Sequence, residues 1–478
     1  MLFNSFEFLV FLPIVFLLYW FAFKKLRAQN LFVVVASYLF YGWWDWRFLI
    51  LIAFTTLCSY ASGILLERQE GHRHIQRLIS IANIVLNLTI LGIFKYFNFF
   101  SENLQHLFQW FGFELDWVTL DILLPVGISF YTFQALSYTI DIYRHKMKPT
   151  HDIVAFFAFI SFFPQLVAGP IERATNLLPQ FERQRAFDYT AAVDGMRQIL
   201  WGLFKKIVVA DTCAVAVNQI FANYQTLDSL NLVWGAFLFT FQIYGDFSGY
   251  SDIAIGTAKL FGINLLQNFN FPYFSRDIAE FWRRWHISLS SWLRDYLYIS
   301  LGGNRHGKFR QYLNLIITMF LGGLWHGASW NFVLWGMFHG VALALHKAWM
   351  SITGRKKGEQ SHGIRRVFGV IITFHFVCFC WIFFRNADIH NSMDMLRQIF
   401  TVFRPQLFPQ LIEGYWEVFA LMLLGFLLHF APDRWENAVC RGVIRLPFLG
   451  KAVLMVAMIY LVIQMKSSEI QPFIYFQF

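Results

Sequence analysis

Three histidines stand where an ionisable ring is costly to keep. The segment LGGLWHGASWNFVLWGMFHG, residues 321–340, places His326 between Gly323 and Gly327, and His339 between Gly336 and Gly340. Glycines four residues apart let helices approach closely. An imidazole inside such packing is either a hydrogen-bonding strut between helices or a site of chemistry, where a neutral ring can take up a proton near physiological pH. On one continuous helix His326 and His339 stand about 20 Å apart on nearly opposite faces. They do not then form one catalytic pair.

A second cluster, SRDIAEFWRRWHISLSSWLRDYLY, spans residues 275–298. Phe281, Trp285, Leu289, Trp292 and Tyr296 recur at steps of four and three, which predicts one amphipathic helix over Asp277–Tyr296. Asp277 has the character of an N-cap and Glu280 that of its partner. Such a helix lies along the membrane interface. Arg283 and Arg294 are eleven residues apart, as are Arg284 and Asp295, so each pair falls nearly in register. These arginines either snorkel from a surface helix or, with Arg305, Lys308 and Arg310 just beyond, hold a phosphorylated donor through charge-assisted bonds. His286 shares a face with Trp282 and Leu289, as a satisfied core histidine or as a wall of a site.

The third cluster is QIYGDFSGYSDIAIG, residues 242–256, with Asp246 and Asp252 in an otherwise apolar run. A carboxylate at the centre of a membrane helix costs ~2.5–3.5 kcal/mol. Flanking Gly and Ser favour structural ion pairs over a proton path. The chain holds no HExxH, GxSxG, P-loop or Rossmann glycine pattern, so hydrolase, NTPase and dehydrogenase readings lose their support. Cys58, Cys213, Cys378, Cys380 and Cys440 show no metal-ligand spacing, which predicts buried thiols with neither disulfide nor zinc.

The elements that position these residues are membrane helices. Of the 478 residues, 57% are hydrophobic, 20% aromatic and 14% charged, against ~25% charged in soluble domains. Apolar segments at 6–23, 30–46, 48–66, 78–97 and 122–143, then at 153–171, 193–222, 229–261, 311–325, 329–349, 366–384, 415–431 and 448–465, predict an all-α polytopic membrane protein with some re-entrant pieces. Pro164 and Gly169-Pro170 break the segment at 153–171, and such breaks are tolerated at membrane depth only when buried in protein or lining a cavity. The net charge of +10 is scattered through short loops, which speaks for positive-inside topology and against nucleic acid. Lys24, Lys25 and Arg27 close the first segment, so it stays as an anchor with the N-terminus outside. Phe99–Asp121, with acids and no Lys or Arg, reads as an outside loop, and Arg144, Lys146 and Lys148 as inside.

In YGDFSGYSDIAIG, FWRRWHISLSSWLRDYLYISLGGNR, FLGGLWHGASWNFVLWGMFHG and the terminal PFIYFQF, the chain resembles the membrane-bound O-acyltransferase superfamily. The match is to its bacterial branch of alginate O-acetylation and D-alanyl-lipoteichoic acid transfer proteins, more to the alginate type, and it covers essentially the whole sequence. The resemblance implies one integral membrane domain over 1–478, with N-terminal transmembrane helices (1–150), a catalytic core (151–350) and C-terminal helices (351–478). It implies a ring of about 11 transmembrane helices around a central tunnel, with re-entrant and interfacial helices. The catalytic histidine of the family's WHG motif falls on His326, and the second, of RRWH, on His286. The implied donor is acetyl-CoA or another acyl thioester, with no bound cofactor. The implied acceptor is a polysaccharide, reached directly or through a periplasmic SGNH-type acetyltransferase partner, and the implied location is the bacterial inner membrane. A proton-coupled transporter or export scaffold, using Asp246, Asp252 and His326, is the non-enzymatic alternative.

Overall fold

The computed structural model describes residues 1–114, 119, 120, 122–354, 361–429, 433–465, 473 and 474. Every regular element among them is helical. The chain gathers into two compact units, one of residues 1–196 with 254–266 and one of residues 197–253 with 267–478.

In the first unit, helices α1 (Arg47–Arg68) and α2 (Arg73–Leu91) bury polar faces against the helix Ile128–Tyr143. Asn83 Nδ2 donates to Thr139 Oγ1 at 2.7 Å, and Ser62 Oγ lies 3.1 Å from the same hydroxyl. Such bonds join helices where apolar surface gives no preference. The reading of Phe99–Asp121 as a loop needs correction. Through a wide turn at Gly92–Tyr96, α2 passes into a helix over Phe97–Trp110, because the aromatic residues there continue an amphipathic pattern. Residues 115–118 and 121 of that stretch lie outside the described residues. The segment 153–171 is interrupted as expected: a helix over Ile153–Ser161 stops at Phe162 and a single turn follows at Phe163–Leu166, with Phe162, Phe163 and Leu166 buried.

The second unit holds α3 (Ser229–Leu260) up to residue 253, α4 (Ile278–Arg284), α5 (Ile287–Trp292), α6 (Gly307–His326), α7 (Trp330–Ile352) and α8 (Gly363–Arg385). The single helix expected over Asp277–Tyr296 is in fact α4, α5 and a π-helical turn at Leu293–Tyr298. Trp285 is extended and His286 takes a left-handed backbone (φ 43°). The break has a partner. Asn270 N–H donates to Arg284 O and Ile287 N–H to Asn268 O, both at 2.9 Å, replacing helical bonds that the kink gives up. The apolar stripe is buried all the same, with Phe281, Trp285 and Leu289 each 1% exposed. Asp277 caps α4, accepting from Glu280 N–H at 2.7 Å.

Among the described residues, three helices are long and apolar enough to cross a membrane: α1, the continuous Arg73–Trp110, and α8. A pair at Pro405–Gly414 and Trp416–Gly425, bent by 80°, makes a fourth if it is one span. This falls short of the expected ring of about 11. The segment 193–222 is broken by a π-helical stretch carrying Lys205 and Lys206, and α3, α6 and α7 dilute their apolar character with Gly, Asn, His and Asp.

Candidate active site

The α6–α7 hairpin places the first two histidines. Gly327, extended, ends α6 directly after His326, and Ser329 caps α7 by accepting from Asn331 N–H at 3.3 Å. Glycine lets the two arms meet. A Cβ on Gly323 would stand 2.2 Å from Phe332 O, one on Gly336 2.3 Å from Met319 O, and one on Gly340 2.8 Å from Ile316 Cα. The continuous helix that would hold His326 and His339 about 20 Å apart is therefore absent. Both rings pack on Trp335, with centroids at 5.0 and 4.8 Å.

His286 completes the cluster from the kink between α4 and α5. Its ring lies 6.4 Å from that of His326, 5.9 Å from Trp325 and 4.7 Å from Phe247 of α3. The three histidines are 0–5% exposed, inside walls that include Trp335, Trp381 and Phe384. His339 Nδ1 accepts from Trp282 Nε1 at 3.3 Å, and its ring stacks on Phe281. Two imidazoles within one aromatic-walled space, with a third behind them, can move a proton between an oxygen and a leaving group.

The acids of the third cluster are engaged elsewhere. Asp246 meets Lys206 at 2.6 Å and accepts from Ile474 N–H at 2.8 Å, while Asp252 pairs with Lys205 and accepts from Gln198 Nε2 at 2.9 Å. Lysines are their partners. Of the basic residues singled out for a donor, Arg284 binds Glu280 at 2.9 Å, and Arg294 binds Asp295 at 2.7 Å. Arg283, Arg305, Lys308 and Arg310 are exposed, with Lys308 Nζ donating to Ser351 Oγ at 2.7 Å. On α4, too short to span a membrane, burial works against the Glu280 charge, but bonds from Arg276 and the charge of Arg284 hold the carboxyl down to about 2. The thiols of Cys213, Cys378 and Cys380 are free and buried and that of Cys58 is half-buried, whereas the Cys440 side chain lies outside the described residues.

The sequence pattern of the membrane-bound O-acyltransferase family matches residues 85–387, which contain all three histidines. The chain belongs to the membrane-bound O-acyltransferase family. It is 37% identical over the full length of both chains to a probable alginate O-acetylase of Pseudomonas putida. Identity to a probable alginate O-acetylase of Pseudomonas aeruginosa is 41%, over 84% of this chain and 75% of that one. A peptidoglycan O-acetyltransferase of Helicobacter pylori is 35% identical over 83% of this chain and 79% of its own. This membrane-bound O-acyltransferase therefore carries its buried histidines within the matched region. Sequence reasoning did not single out Asn268, in a loop without a motif, or Trp335, Trp381 and Phe384, aromatics among many.

Proposed function

We propose that this acyltransferase moves an acetyl group from cytoplasmic acetyl-CoA across the inner membrane for O-acetylation of an exported or cell-wall polysaccharide such as alginate. The observation that carries the reading is the 6.4 Å approach of the buried His286 and His326 rings. In this mechanism His326 takes the proton of the attacking hydroxyl, the oxygen adds to the thioester carbonyl, and the C–S bond breaks. The sulfur leaves as thiolate and is protonated by the imidazolium. Acylation of His326 itself, followed by transfer to the hydroxyl, is the same chemistry in two steps. His286 serves as the second imidazole of the site.

The donor's phosphates bind the exposed Arg283, Arg305, Lys308 and Arg310 on the cytoplasmic face, and the acceptor comes from outside, directly or on an SGNH-type acetyltransferase partner. Alginate is favoured as polymer by the full-length similarity to a probable alginate O-acetylase. The N-terminus lies outside, so a cysteine at position 26 stays unlabelled by an impermeant reagent in intact cells. The deciding experiment is polymer acetyl content in cells producing His326→Ala at normal abundance. Acetylation is lost in that variant, and lowered in His286→Ala. Full acetylation with His326→Ala would sink the role.

A further inference from the structure

Asn268 is buried, 1% exposed, between α3 and the kink that carries His286. Its side chain is a hub. Oδ1 lies 3.2 Å from His286 Nδ1, accepts from Ser288 Oγ at 2.7 Å and from Ser288 N–H at 3.3 Å, while Nδ2 donates to Ser251 Oγ at 3.2 Å. The backbone of the same residue accepts from Ile287 N–H. One bond in this set decides the rest. A backbone N–H only donates, so the amide atom facing Ser288 N–H is oxygen and the assignment of the two ends is settled. An amide oxygen only accepts, so His286 Nδ1 must carry the hydrogen. In the neutral ring Nε2 then keeps its lone pair. His339 is held the opposite way, since the Trp282 indole N–H donates to its Nδ1.

We propose that Asn268 is a positioning residue that fixes His286 as the Nδ1–H tautomer, presenting Nε2 as the basic nitrogen beside His326. The left-handed backbone at His286 supports this, because such a conformation persists in a side-chain-bearing residue only when its surroundings over-determine it. Asn268 supplies those surroundings through both its side chain and its carbonyl. The inference rests on the proposed participation of His286 in acetyl transfer.

The test uses the full-length protein in native membranes, with acetyl-CoA as donor and alginate as acceptor, and compares Asn268→Leu, of similar size without an acceptor, with Asn268→Asp, which keeps one. Asn268→Leu lowers kcat on the order of ten- to a hundredfold, within the share a positioned general base contributes, and leaves KM for acetyl-CoA unchanged. Asn268→Asp recovers most of kcat. Nitrogen-15 NMR of the histidine-labelled protein, with His286→Gln to assign the ring, reads a protonated Nδ1 and a bare Nε2 in the parent protein. An unaltered kcat in Asn268→Leu would overturn the inference. If that variant does not accumulate, the parent spectrum decides, since a proton on Nε2 would overturn it equally. Full activity in His286→Ala would instead sink the reading of His286 on which the inference stands.

Discussion

Two polar clusters lie buried in the second unit, and they are built on opposite principles. Around Lys206, 1% exposed, Asp211 Oδ1 stands at 2.8 Å and Asp246 Oδ1 at 2.6 Å, the Phe473 ring faces the ammonium at 4.7 Å, and Ile474 N–H occupies the other oxygen of Asp246. Both carboxylates there share the one ammonium. The histidine cluster has aromatic walls, bonds to an amide oxygen and an indole, and rings that meet other rings. An ionic cluster holds a fold together at the cost of desolvation, and losing one member leaves a bare charge inside. The imidazoles are held instead by hydrogen bonds to neutral groups and by ring contacts.

Substitutions that separate the two clusters test this contrast. The largest effect belongs to His326→Ala, which removes acetyl transfer altogether while membrane abundance and thermal denaturation stay near those of the parent protein. Lys206→Met does the reverse at its root, destabilising by about 3–5 kcal/mol through two stranded carboxylates, seen as loss of folded protein by size-exclusion fluorescence. Adding Asp211→Asn and Asp246→Asn to Lys206→Met recovers part of that loss. If Lys206→Met folds normally and only activity falls, the division between the clusters is wrong.

A smaller effect comes from Gly336→Ala. The new methyl meets Met319 O, which belongs to the backbone and cannot rotate away. Forcing the arms of the hairpin apart costs about 1–3 kcal/mol, and it shifts Trp335, on which His326 and His339 both rest. Lower thermal stability together with a lower kcat is expected, whereas either alone would show that the hairpin and the histidines are uncoupled. The smallest effect is on the donor side. Neutralising Arg305, Lys308 and Arg310 to Gln raises KM for acetyl-CoA several-fold, each exposed charge contributing about 1 kcal/mol or less, and high salt erases the difference. An unchanged KM at low salt places the donor elsewhere.

Much of this was legible in the residues themselves. Helical periodicity with few charges determined an all-helical membrane protein, the step of four and three determined that Phe281, Trp285, Leu289, Trp292 and Tyr296 face inward, and Asp277 marked the start of α4. The glycines around His326 and His339 announced a close helical approach, which occurs between the two arms of one hairpin. These are local matters, decided by side chains within a turn or two of one another. The terminal PFIYFQF is described only at Phe473 and Ile474, where both residues are buried.

Tertiary structure alone decided the rest, because each feature depends on a partner distant in sequence. A helix-favouring pattern over Asp277–Tyr296 is interrupted at His286 because Asn268 and Asn270, more than ten residues upstream, offer backbone bonds to Arg284 and Ile287 that compete with the helical ones. Asp246 is neutralised by Lys206, forty residues earlier, across packed helices whose register no local pattern encodes. Periodicity says which face of a helix is buried and not what covers it, so the pairing of His286 with His326, of His286 with Asn268 and of His326 with Trp335 was set only when hairpin, kink and loop packed together.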